Sequence, residues 1–271
     1  MSNLIEITNL NNAYFRRQLV KNAINLKHQG KMLMRWYNSG FKIFPAYADI
    51  YISHRYKFIS FAIGKVASST HRSIMSALHR DSEKQRKTRS YERIKHLDYF
   101  LYPSRYKHDD YYSWTFVRNP WDRLFSCYRF LVHDRIRNNE EPHKLSSPVI
   151  GRWWMYREHA MIKLHMTTFE DFVKYVAKTP DWFSDGHFLP QHYFFDMKKM
   201  DFIGRYENYE TDMLKLLAVI VPDYKISEIP KIRQSSNSLE KKNYRDYYTN
   251  EIREIVAHKY ARDIKLFNYQ F

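Results

Sequence analysis

Apolar residues along this chain come in short solid runs and in helical stripes, and the two kinds alternate. The run at 58–63, "FISFAI", is apolar almost throughout, which predicts a strand buried on both faces of a sheet. Behind it, residues 70–78 carry Ile74, Met75 and Leu78 at helical spacing. A second strand is predicted at 113–117, "SWTFV", and Asn119-Pro120 follows it, an N-cap and a first-turn proline that together start a helix. Trp121, Leu124, Phe125, Tyr128, Leu131 and Val132 then make one apolar stripe. Helices are predicted at 168–177, opened by Thr168 with Asp171 three residues on, at 207–221 and at 244–264, and a short buried strand at 200–204, "MDFIG". Strands alternating with helices predict an α/β domain with a central, mostly parallel sheet flanked by helices.

Two segments carry more charge than pattern. Residues 18–37 are basic with scattered apolar positions broken at Gly30, predicting amphipathic helices that pack on the domain. Residues 79–95, "HRDSEKQRKTRSYERIK", predict a solvated helix–loop surface. With 44% apolar and 17% aromatic residues the chain is globular, not disordered. Its net charge of +16 changes the picture further, because a surplus of that size attracts polyanions: nucleic acid, acidic glycans, anionic lipid or phosphorylated cofactors. Cys127 is the only cysteine, so no intrachain disulfide can form. No leader pattern opens the sequence and no apolar run nears the ~20 residues that span a bilayer, so a cytoplasmic protein is expected, with peripheral membrane contact still open.

Two strand ends carry candidate chemistry. After the first strand comes "GKVASST": Lys65 supplies a point charge, Ser68, Ser69 and Thr70 supply hydroxyls, and a helix N-terminus supplies backbone N–H groups. The spelling departs from G-x-x-x-x-G-K-[ST], which disfavours an ordinary P-loop nucleotidase. After the second strand, Arg118 stands where open α/β sheets bind ligands, and Ser126 lies about two helical turns on. An arginine fork suits a phosphate because it donates two parallel hydrogen bonds, though Arg118 and Arg123 also read as ion-pair partners.

In combination, "KVASST" and "RNPWDRLFSCYR" resemble the two signatures of the PAPS-dependent carbohydrate sulfotransferases, of the sulfotransferase family 2 type. "DGHFLPQ" (185–191), "MDFIGRYENYETDM" and "YRDYYTNEIREIVAHKYARDIKLFNY" are similar to further segments of that family, in the same order, so the likeness runs from about residue 58 to 269. The resemblance implies a three-layer, P-loop-like sulfotransferase fold over 58–271; residues 1–57, which it does not reach, are expected to form a helical extension packed on it. It implies PAPS (3′-phosphoadenosine 5′-phosphosulfate) as sulfuryl donor, PAP as product, and an acceptor hydroxyl on a carbohydrate or glycoconjugate; no His, Cys or carboxylate cluster has metal-ligand spacing, so no metal is expected. Lys65, Val66, Ala67, Ser68, Ser69 and Thr70 would then hold the 5′-phosphosulfate, Arg118 and Ser126 the 3′-phosphate, and Lys231 and Arg233 would close over the nucleotide. His187 is the expected general base beside Lys65, with His96 or a glutamate as alternatives. Trp153 and Trp154 read either as core or as a sugar-stacking pair.

Two other classes remain open to the sequence. A basic nucleic-acid- or polyanion-binding protein follows from charge alone, but would cluster its cations with exposed aromatics on one face. A P-loop-type kinase needs a glycine-rich lysine turn and an acidic Mg²⁺ ligand after a strand, and neither is spelled here.

Overall fold

The computed structural model describes residues 48–79, 91–95, 99, 108–133, 162, 166–181, 184–223 and 243–271. Five strands form one sheet: β1 (Asp49–Ser53), β2 (Phe58–Ala62), β3 (Tyr91–Lys95), β4 (Tyr112–Val117) and β5 (Phe202–Arg205), in the order β3-β1-β2-β4-β5. Helices α1 (Ser68–Leu78), α2 (Pro120–Tyr128), α3 (Phe169–Lys178), α4 (Tyr209–Ile220), α5 (Asn250–Lys259) and α6 (Ala261–Phe267) flank it. Segments 18–37 and residues His96, Trp153, Trp154, Lys231 and Arg233 lie outside the described residues.

Every residue of β2 is buried, which is why its sequence is a solid apolar run: it has a strand on either side and helices over its faces. It pairs parallel with β4, Phe61 opposite Thr115, and β4 pairs parallel with β5. On the other side, the four-residue turn 54–57 folds β1 back antiparallel on β2, and β3 is antiparallel to β1. The sheet is therefore mixed, not mostly parallel, because a connection so short can only make a hairpin. It begins at Asp49, inside the segment that the sequence reading gave to the N-terminal extension.

The second difference is β3, which lies within the stretch expected to be a solvated helix–loop surface. "YERIK" is an edge strand, and edges tolerate the charge that hid its alternation; Arg93 donates to Asp49 on β1 at 2.5 Å. Third, the long last helix is two. Asn243 and Asp246 cap the start of a 3₁₀ turn reciprocally, Thr249 caps α5, and the helices part at Tyr260, whose buried hydroxyl donates to the Phe188 carbonyl at 2.7 Å. In β5, Gly204 faces the Phe116 ring, and a methyl there would lie 2.4 Å from that ring, so the edge glycine is covered by its cross-strand aromatic.

Among the described residues three histidines are buried, His71, His79 and His192. His71 lies between Tyr51 and Trp114, with ring centroids 5.3 and 4.6 Å away, and bonds Ser60 Oγ at 2.9 Å. Burial lowers its pKa to about 3, and burial together with Arg55 lowers that of His79 to about 4. Unfolded, both titrate near 6.5, so between these values the unfolded chain binds protons that the folded one refuses. Stability is then full above the unfolded pKa and falls as pH drops. Denaturant titrations should show a loss of roughly 2 kcal/mol per histidine from about pH 7 to about pH 5, with His71→Gln removing its share. Equal stability at the two pH values would contradict this.

Candidate functional site

The first loop leaves the buried end of β2. Gly64 follows Ile63, Lys65 takes φ 65° and Ala67 φ 51°, and α1 begins at Ser68. Two non-glycine residues in the left-handed region cost free energy and persist only where their surroundings hold them. Ala67, as N-cap, makes no side-chain bond to the helix end, and the positive end of the α1 dipole lies at this loop. Of the hydroxyls, Thr70 and the neighbouring Val66 are buried, Ser68 is half-buried and Ser69 is exposed. The Lys65 ammonium stands 4.5 Å from the ring centroid of Phe130, a ring 57% exposed in the π-helical turn that ends α2.

The second loop leaves β4. Arg118 is half-buried and three of the five N–H groups of its guanidinium are used: Nε and Nη2 donate to the two oxygens of Asp122 at 2.8 and 2.9 Å, Nη1 donates to the Lys65 carbonyl at 2.9 Å, and its face lies 4.0 Å over Tyr206. Burial opposes its charge most strongly, but Asp122, Tyr206 and Glu207 together outweigh burial and the guanidinium pKa is raised. Its backbone is clamped too. The Arg118 N–H donates to Gln191 Oε1 at 2.9 Å, and Gln191 Nε2 donates back to the Arg118 carbonyl at 2.7 Å. Asn119 caps α2 through Trp121 N–H, while its own N–H donates to Glu207 at 2.7 Å. Ser126 sits two turns along α2, half-buried.

The third segment is 185–191. Asp185 is buried and its carboxylate accepts from both the backbone N–H and Nδ1 of His187, at 2.8 and 2.5 Å. A carboxylate only accepts, so the proton sits on Nδ1 and Nε2 is left as the basic nitrogen of the neutral ring. The His187 side chain is 32% exposed and reachable. It packs on Gly64: a methyl there would lie 2.9 Å from Cδ2 and 3.3 Å from Nε2. The loop glycine is required by this close approach. Arg123, 2% exposed, ties the segments together, donating to the carbonyls of Gly64 (3.1 Å), Leu189 (2.8 Å) and Gly186 (3.3 Å).

The fold thus gathers Lys65, Val66, Ala67, Ser68, Ser69, Thr70, Arg118 and His187 around two adjacent strand ends, with Ser126 about two turns along α2. Arg123 corrects one expectation: it is held by backbone carbonyls, where an ion pair was anticipated. Asp122 was missed although it stands four residues after Arg118, the spacing of a helical ion pair. Gln191 and Glu207 were also missed, because their partners lie far along the chain, and Asp185 was missed although its partner His187 is only two residues on. Among the described residues, no three His, Cys, Asp or Glu side chains group as metal ligands, and no helix is long and apolar enough to cross a membrane.

Parallel strands ending in two basic loops linked by one hydrogen bond, each opening a helix, define an α/β protein with its candidate site at two adjacent strand ends. The chain belongs to the sulfotransferase family, whose model matches residues 48–270. No curated protein and no solved structure matches it. The match covers all five strands, including β1 and β3.

Gly64→Ala should push the imidazole away from the loop. The expected result is a changed environment for the His187 ring resonances in NMR with the thermal midpoint moved by only a few degrees, about 1 kcal/mol for a domain of this size. Unchanged His187 resonances would contradict the contact.

Proposed function

We propose that this sulfotransferase moves a sulfuryl group from PAPS to an acceptor hydroxyl on a carbohydrate or glycoconjugate. The observation that carries the reading is the 2.9 Å bond between Arg118 Nη1 and the Lys65 carbonyl, which makes one continuous surface of two anion loops. A nucleotide phosphorylated at both ends needs two such sites a nucleoside apart. The α1 N-terminus and the Lys65 turn fit one end, in the manner of a P-loop without its glycines, and Arg118 with Ser126 fits the other. PAPS, when bound, supplies an activated sulfuryl group and leaves as PAP.

The chain's residues divide the work. N–H groups of 66–70 and the hydroxyls of Ser68, Ser69 and Thr70 hold the 5′-phosphate. The Lys65 ammonium neutralises the charge that collects on the leaving oxygen, a role in which positioning and electrostatics supply most of the rate. Arg118 and Ser126 donate to the 3′-phosphate. Asp122 already shares that guanidinium, so the anion uses the N–H groups that the carboxylate and Lys65 leave over. Lys231 and Arg233 complete the nucleotide site. His187, oriented by Asp185 with Nε2 as the basic nitrogen, takes the acceptor's proton. The net charge of +16 favours an anionic acceptor.

Calorimetric titration with PAP and with AMP tests this directly. PAP is expected to bind at least about 100-fold tighter, as two charge-assisted bonds to the 3′-phosphate provide, and Arg118→Ala should collapse the difference. Equal or absent binding of the two would overturn the reading. His187→Ala should lower kcat by about 10²- to 10⁴-fold with PAP affinity intact; normal turnover would remove His187 from proton transfer.

A further inference from the structure

The two residues that hold the first loop in its left-handed path come from the second motif. Arg123 Nε donates to the carbonyl of Gly64 at 3.1 Å and Arg118 Nη1 to the carbonyl of Lys65 at 2.9 Å, so successive carbonyls of the loop are pinned by two guanidiniums. The pinned stretch contains Lys65 (φ 65°) and Ala67 (φ 51°), conformations that these residue types leave when nothing holds them. Arg123 is shared with Leu189 and Gly186 and is buried away from ligand. Arg118 is different, for it stands at the strand end. Asp122 fixes the plane of its fork, Tyr206 covers its face and Gln191 clamps its backbone on both sides. A group so constrained can transmit position.

We propose that Arg118 is a positioning residue for the first loop as well as a ligand of the second phosphate: its bond to the Lys65 carbonyl holds the backbone whose N–H groups meet the 5′ end of the nucleotide. The inference rests on the proposed function for the identity of its ligand, while the contact stands apart from it. Its consequence is a linkage. An anion on Arg118 and an anion in the first loop share one guanidinium, so each affects the affinity for the other to the same extent. A nucleotide lacking the 3′-phosphate then depends on Arg118 although it never touches it.

Hydrogen exchange on the full chain reads this without any ligand. In Arg118→Ala, and in Arg118→Lys, which keeps the charge but cannot bridge Asp122 and Lys65 together, amides of 64–70 are expected to exchange about tenfold faster while β2 and β4 keep their protection. AMP affinity should fall about tenfold in both variants. Unchanged exchange at 64–70, or faster exchange spread evenly over the sheet, would overturn the proposal, as would AMP affinity equal to that of the native chain. Should the native chain bind neither nucleotide, the cofactor reading fails, and the exchange comparison still decides the role of Arg118.

Discussion

The parallel pairing of β2 with β4 is the constraint on which the rest depends. With Phe61 opposite Thr115, the two strands end side by side, and the chain leaves both ends on the same edge of the sheet. Whatever follows β2 must meet whatever follows β4. Lys65 and Arg118 are 53 residues apart in sequence and one hydrogen bond apart in space. A hairpin at this position would have sent the two loops to opposite ends of the sheet.

Placing arginines at such a junction is expensive, since a desolvated cation is tolerated only when its donors are satisfied. Arg118 and Arg123 meet that requirement in different ways. Arg123 gives its donors to three carbonyls and becomes a structural peg between the first loop and the 186–189 segment. Arg118 gives two donors to Asp122 and one to Lys65 and keeps the rest at the strand end. The supporting residues extend outward: Gln191 holds Arg118, Asp263 accepts from the Gln191 and His192 N–H groups at 2.5 and 3.0 Å, and Glu207 holds Asn119 and the Tyr269 hydroxyl. The C-terminal helices are thereby attached to the site itself.

How much of this was legible follows from the range of each interaction. Helix starts at Asn119-Pro120 and Thr168 are written locally, because a cap needs only the next three residues, and both are as the sequence reads. The solid run of β2 likewise announces a central strand. β1 and β3 were not legible: their pairing depends on a four-residue turn and on an edge whose charges mask alternation. The site divides in the same way. Lys65, Arg118 and His187 stand in recognisable motifs, and Asp185 stands two residues before His187, whereas Gln191 as the clamp of Arg118 and the carbonyl partners of Arg123 appear only once the three segments meet.

A crystal structure of the protein with PAP tests the central claim most directly. The account predicts the 5′-phosphate against the N–H groups of 66–70 and the 3′-phosphate on Arg118 and Ser126, with the bond from Arg118 to the Lys65 carbonyl kept. A nucleotide bound elsewhere, or one whose 3′-phosphate leaves Arg118 and Ser126 untouched, would contradict it.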